Sequence, residues 1–172
     1  MFKPNLYKLK VTDIKPSELK KLGVNTLFLD VDNTLSTHHG FELADGLLEW
    51  LKQIKDKGIK LILVSNSKQS RVEPFAKSID LPFVSLSLKP LSKGFNPAKK
   101  RLGVKKKNIC VVGDQLFTDV LGAKLYGVKV ILLKPILLED KLGFKIKRYL
   151  EKIIFKIEKI GWLYVGKIRP CR

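Results

Sequence analysis

The sequence predicts an α/β protein on a doubly wound, mostly parallel sheet, and three features carry that prediction. Its β-type apolar runs are continuous rather than alternating, as strands covered on both faces require. Stretches of helical periodicity separate them, the signature of βαβ units. Polar and acidic residues follow the runs at matching places, where an open parallel sheet gathers its ligand site.

The first run, Thr26–Leu29, ends at Asp30 and Asp32. A helix over Leu43–Lys57 follows, with Leu47, Leu48, Leu51 and Ile54 on one face and Gly58 as its stop. Lys60–Val64 is the second strand, and Ser65 and Asn66 come directly after it. Gln69–Ser78 carries Val72, Phe75 and Ala76 at helical spacing, and Phe83–Ser85 reads as a short edge strand. Asn96 is placed to cap a helix over Pro97–Leu102, with Pro97 at its first position. Asn108–Val112 is the third main strand, just before Asp114. A helix over Thr118–Tyr126 closes on Gly127, and Val128–Leu133 is the last strand. No internal repeat or low-complexity linker interrupts this order.

At 172 residues the chain suits one domain with its own core, and a hydrophobic content of 45% excludes a disordered protein. Charge is the unusual property: 34 Lys and Arg against 16 Asp and Glu, a net charge of +18. That imbalance favours polyanionic partners, nucleic acid or an anionic membrane, unless it is only a lysine-rich solvated surface. The two cysteines, Cys110 and Cys171, form neither a metal-ligand pair nor a disulfide framework. Cys110, inside Ile109-Cys110-Val111-Val112, reads as a small buried hydrophobe. Met1–Asn5 lacks the apolar stretch of a signal peptide, and no run reaches the roughly 18 apolar residues of a spanning helix. A cytoplasmic location is expected.

From Lys141 onward the pattern changes. Leu142, Ile146, Tyr149, Leu150, Ile153 and Ile157 recur at spacings of three and four. Lys145, Arg148, Lys152 and Lys156 occupy the other face, with Glu151 and Glu158 as the only offset. Trp162, Tyr164 and a basic end follow. Residues 1–140 are assigned to the core and residues 141–172 to a basic amphipathic helix and tail.

The strongest chemical signal is Asp30-Val31-Asp32-Asn33-Thr34 at the end of a buried strand. Two carboxylates at the mouth of an apolar sheet are costly unless they bind something. One can attack phosphorus and form an aspartyl-phosphate; another, two residues on, can protonate the leaving oxygen and later deprotonate water. The negative charges that must meet a phosphate call for a cation, and Mg²⁺ suits them. Ser65, with its neighbour Asn66, offers donors to phosphate oxygens, and Lys89 or Lys93 offers positive charge. Asp114 and Asp119, in Gly113-Asp114-Gln115-Leu116-Phe117-Thr118-Asp119, complete a metal set with Asp30 and Asp32. His38 and His39 lie in a polar stretch and are left out as surface residues.

In this order the residues resemble the four motifs of the haloacid dehalogenase (HAD) superfamily: DxDxT, a Ser at a strand end, a Lys, and GDxxxxD. Pro4, Asp30–Leu35, Ser65-Asn66, Arg71-Val72, Lys89-Pro90, residues 113–122 and the Arg148/Glu151 tail are similar to the YqeG branch of subfamily IIIA. That branch is related to mitochondrial phosphatidylglycerophosphate phosphatases. The resemblance implies a HAD-like fold, an Mg²⁺-dependent phosphatase, Asp30 as nucleophile, Asp32 as acid/base and Lys89 as the motif lysine. It also implies that Thr34, Ser65 and Asn66 contact the substrate. Ser67 departs from the pattern, which has a second Asn there.

The intervals Leu35–Gly58 and Asn66–Leu88 leave no room for an inserted cap domain. An uncapped site accepts a large substrate, and the basic amphipathic tail suits an anionic membrane surface, with the core-packing alternative of equal weight. The favoured expectation is a phosphatidylglycerophosphate-like lipid. Two rivals stand beside it: a terminal phosphatase of nucleic acid, and a non-catalytic module docking through the tail.

Overall fold

The computed structural model describes residues 2–36, 42–136, 149–151 and 153–154. Three apolar strands organise it. β2 (Thr26–Leu29) is buried along its whole length and pairs on one side with β3 (Lys60–Val64) and on the other with β5 (Ile109–Gly113). In that register Thr26 stands opposite both Lys60 and Ile109. β4 (Phe83–Val84) adds to β3, while β6 (Lys129–Leu133) and β1 (Leu6–Lys8) extend the sheet beyond β5. The order is β1-β6-β5-β2-β3-β4, and every pairing is parallel.

Side-chain alternation along β2 divides the core. Leu27 and Leu29 point to the face covered by α1 (Pro16–Leu22), α2 (Leu47–Asp56) and α3 (Gln69–Ser78). Phe28 points to the other face, under α4 (Asn96–Leu102) and α5 (Leu121–Tyr126), where it stacks on Phe95. From β2 the chain moves outward to β3 and β4, then returns to β5 on the opposite side. The carboxyl ends of β2 and β5 therefore meet at the topological switch point, where such sheets hold ligands.

Several expectations are adjusted. α2 starts at Leu47, because Leu43 is engaged in a single bridge with Ser36. Leu48 is exposed, and Trp50 takes its place in the core, donating from Nε1 to the Ile14 carbonyl at 2.9 Å. Asn96 is the first residue of α4 and makes no side-chain cap; its Oδ1 accepts from the Tyr126 hydroxyl at 2.8 Å. The helix expected over Thr118–Tyr126 is split into a π-helical turn (Leu116–Val120) and α5. β1 and α1 are not anticipated by the apolar runs. Cys110 is buried in β5, and burial pushes its thiol up to about 12.

In the tail, Glu151 is buried and Ile154 packs on the core, while Tyr149, Leu150 and Ile153 face outward. In this short segment three residues of the apolar stripe thus face outward, and Glu151 is turned inward to accept a hydrogen bond. His38, His39, the boundary at residue 140 and the rest of the tail, Trp162 and Tyr164 included, lie outside the described residues.

Candidate active site

β2 delivers Asp30 at its carboxyl end, with the Asp30 N–H still bonded to the Val112 carbonyl of β5 at 2.9 Å. β5 delivers Asp114, and the π-helical turn swings Asp119 back toward both. One carboxylate oxygen from each of Asp30, Asp114 and Asp119 lies within 4.8 Å of the others, and all three residues are buried. Gly113 allows this approach: a Cβ there would fall 2.3 Å from Cγ of Asp119.

Lys89 enters the cluster from the loop after β4. Its Nζ donates to Asp30 Oδ1 at 2.7 Å and to Asp119 Oδ1 at 2.8 Å, and its side chain is only 2% exposed. Lys93, the competing lysine, lies on the surface. Burial works against the charge on Lys89, but Asp119 and Asp30 outweigh it and hold the ammonium above its ordinary range. Burial raises the carboxyl of Asp30 from 3.8 to about 7; Lys89 opposes the rise, while Asp119 and Asp32 add to it. Asp30 and Asp119 thus share one ammonium, with the buried Asp114 carboxylate beside them. Three buried carboxylates within reach of one another form an all-oxygen donor set that fits a hard divalent cation.

Asp32 is treated differently. Arg71 of α3 donates from Nη2 to Asp32 Oδ1 at 2.9 Å, and the Ser67 hydroxyl donates to Oδ2 at 2.8 Å. The same Arg71 nitrogen reaches the Ser36 hydroxyl at 3.3 Å. The Asp32 carboxylate is therefore not one of the three that cluster: a guanidinium and a hydroxyl engage its oxygens. Arg71 and Ser67 are site residues that the motif reading does not assign. Ser67, noted only as a departure, supplies the donor that an amide would bring at that position.

Ser65 sits at the end of β3, where its hydroxyl accepts from the Ser67 N–H at 3.1 Å. Asn66 is expected to touch substrate, but its amide is committed elsewhere. Oδ1 accepts from the Lys89 N–H and the Ser87 hydroxyl, each at 2.8 Å, and Nδ2 donates to the Lys89 carbonyl at 2.9 Å. Asn66 therefore clamps the backbone of the residue that carries the ammonium. The Lys89-Pro90 bond is cis, and Leu86 and Leu88 adopt left-handed backbone angles, φ 47° and 58°. Such angles cost a branched side chain about 1–2 kcal/mol each. Gly94 packs against this loop so closely that a Cβ would overlap the Ser87 carbonyl oxygen, at 1.7 Å.

Thr34 is buried in the turn after β2, and its hydroxyl has no hydrogen-bond partner among the described residues. It lines a cavity of about 450 Å³ with Leu9, Val11, Leu43 and Ile136. That cavity includes none of the cluster residues, so it lies beside the charged site rather than at it. At the other side Glu151 accepts the Leu116 N–H at 2.8 Å, tying the tail to the turn between Asp114 and Asp119.

Comparison with known proteins agrees with this geometry. A family model for haloacid dehalogenase-like hydrolases matches residues 11–127. The "Probable phosphatase YqeG" of Bacillus subtilis (strain 168) is 34% identical over 158 residues, 92% of each chain. Among solved structures, an uncharacterized protein from Listeria monocytogenes superimposes with a TM-score of 0.58 at 20% identity, covering 69% of this chain and 84% of that one. The 4-nitrophenylphosphatase of Thermotoga maritima gives a TM-score of 0.57 at 12% identity, covering 71% and 89%. These two establish likeness of fold. With a family model spanning most of the chain and a relative matched nearly end to end, the protein belongs to the haloacid dehalogenase-like hydrolases.

Proposed function

We propose that the protein is a phosphomonoester hydrolase that works through a phosphoryl-Asp30 intermediate, with Asp32 as acid and base, on a phosphatidylglycerophosphate-like lipid. The observation that carries the chemistry is the placement of Lys89 between Asp30 and Asp119, beside Asp114. In the first half-reaction an Asp30 oxygen forms a bond to phosphorus as the bond to the leaving oxygen breaks. Asp32, in its protonated form, gives its proton to that oxygen. In the second, Asp32 takes a proton from water, the water oxygen attacks phosphorus, and the bond to Asp30 breaks to release phosphate.

Each neighbour has a defined task. Lys89 orients the Asp30 carboxylate and places positive charge beside the transferring group. Asp119 and Asn66 hold Lys89, one by its ammonium and the other by its backbone. Arg71 and Ser67 fix the direction of Asp32, and the Ser65 hydroxyl, which accepts the Ser67 N–H, donates its own proton to a phosphate oxygen. Asp30, Asp114 and Asp119 are the residues that would hold Mg²⁺, which when bound supplies the charge neutralisation a phosphate dianion needs.

A lipid is supported by the openness of the fold. Among the described residues only α2 lies between β2 and β3 and only α3 between β3 and β4, intervals too short for an inserted domain. The test is Mg²⁺-dependent phosphate release from phosphatidylglycerophosphate in mixed micelles. A soluble phosphomonoester and a 3′-phosphorylated oligonucleotide run alongside, with Asp30→Asn as control. Lipid turnover that Asp30→Asn abolishes is the expected result. Turnover of the ester or oligonucleotide alone retains the chemistry and discards the lipid; no Mg²⁺-dependent turnover at all overturns the reading.

A further inference from the structure

Exposed large apolar side chains are not scattered over this protein. Of the ten among the described residues, six lie on segments at the carboxyl edge of the sheet, where the site is, and three on the tail segment. Leu86, Leu88 and Leu91, 58%, 65% and 59% exposed, sit on the loop whose middle residue is the buried Lys89. Leu9 follows β1, Ile136 follows β6, and Leu48 lies in the first turn of α2, which begins beside that edge. Tyr149, Leu150 and Ile153 belong to the tail segment that Glu151 fastens to Leu116, two residues beyond Asp114. The exception, Leu125, stands near the end of α5, at the opposite edge.

Burial instability would disfavour such a distribution unless something covers it, since contiguous exposed apolar surface marks an interaction site. The loop over Leu86–Leu91 holds its leucines outward at two left-handed positions, while its polar groups are tied inward by Asn66 and Ser67. Exposed Lys68, next to Ser67, and Lys93, two residues after Leu91, flank the loop, and no acidic residue occurs anywhere between Asp80 and Asp114. Apolar side chains that can enter an acyl boundary, bordered by cations that can meet headgroups, are the physical requirements of interfacial binding. The net charge of +18 adds long-range attraction to an anionic surface. Single-stranded nucleic acid would call for aromatic platforms, and the rim of this loop presents leucines instead.

We infer that the carboxyl edge of the sheet is a docking face for an anionic lipid bilayer, with Leu86, Leu88 and Leu91 as the inserting loop. This rests on the lipid reading of the site: docking by that loop brings the Asp30–Lys89 pair to headgroup depth and leaves the opposite edge in water. No helix among the described residues is long and apolar enough to cross a membrane.

The test is flotation of the full chain with vesicles of mixed phosphatidylglycerol and phosphatidylcholine, against phosphatidylcholine alone. The variant is Leu86→Asn, Leu88→Asn and Leu91→Ser combined; Asn tolerates the left-handed angles, so the loop keeps its path. Turnover of a soluble phosphomonoester is measured on the same samples and is expected to be unchanged. Binding to the anionic vesicles, weakened about tenfold or more in the variant, is the expected result. Absence of vesicle binding, or binding that the variant retains in full, overturns the docking face. Vesicle binding of this kind without lipid hydrolysis keeps the face and discards the substrate, so the two failures are separable.

Discussion

Asp30 and Asp32 are two residues apart, yet the protein builds opposite environments around them. On the Asp30 side three buried carboxyl groups cluster, two of them on one ammonium, and burial lifts the Asp30 carboxyl to about 7. On the Asp32 side a single carboxylate is met by a guanidinium and a hydroxyl. The first arrangement fits a divalent cation; in the second the carboxylate is fixed in direction. The lesson is that a DxD motif is not a pair of equivalent ligands. Which acid joins the carboxylate cluster and which pairs with a guanidinium is decided by β5, the loop after β4 and α3.

The largest effect should come from removing the ammonium of the crowded side. Lys89→Ala leaves Asp30 and Asp119 buried without their counter-charge, a loss on the order of 3–5 kcal/mol. Turnover should fall at least about 100-fold, because an organised charge beside the transferring group is gone. Thermal unfolding and steady-state rates on one preparation check both.

Next is the cation. Mg²⁺ should raise the unfolding temperature of the wild type, about 2.7 kcal/mol of stabilisation at a hundredfold excess over its Kd, and Asp114→Asn should remove most of that rise. In chelator the sign of the pH effect follows from Asp30. Its folded-state carboxyl is raised from 3.8 to about 7, so the folded protein holds that proton when the unfolded chain has released it. Stability of the metal-free protein should therefore fall as pH rises from about 4 to 7 and level off above. Asp30→Asn should flatten that slope.

The Asp32 side should respond less in stability and more in rate. Arg71→Ala frees Asp32 to rotate and should lower kcat about 10- to 100-fold, with little change in the Mg²⁺ requirement. A shift in that requirement as large as for Asp114→Asn would merge the two sides into one. Ser67→Ala is the mildest change, removing one bond to a charged acceptor worth roughly 1.5 kcal/mol. Ser67→Asn, which restores a donor, should recover most of the rate.

Much of this was legible in the chain itself. β2 and β3 have the predicted limits because a central parallel strand, buried on both faces, must be an unbroken apolar run. Asp30, Ser65 and Asp114 were placed together because they end such strands. β1 escaped notice because three half-buried residues at a sheet edge carry no apolar signature. α1 escaped despite Pro16 at its start, Glu18 in its first turn and Gly23 behind it. The tasks of Asn66, Ser67 and Arg71 were out of reach for another reason. Asn66 acts on Lys89 across 23 positions and Arg71 on Asp32 across 39, and spacing along the chain does not encode such pairings. The π-helical turn was hidden as well: its sequence reads as ordinary helix, and only the need to bring Asp119 back to Lys89 reveals it.

Asp30 as nucleophile is tested most directly by rapid-quench mass spectrometry of Asp32→Asn with Mg²⁺ and a soluble phosphomonoester. Without Asp32 to activate water, a phosphoryl group should accumulate on the peptide containing Asp30 and be absent from the Asp30→Asn, Asp32→Asn double variant. Turnover by Asp30→Asn at the wild-type rate, or a phosphoryl adduct on any other residue, would contradict it.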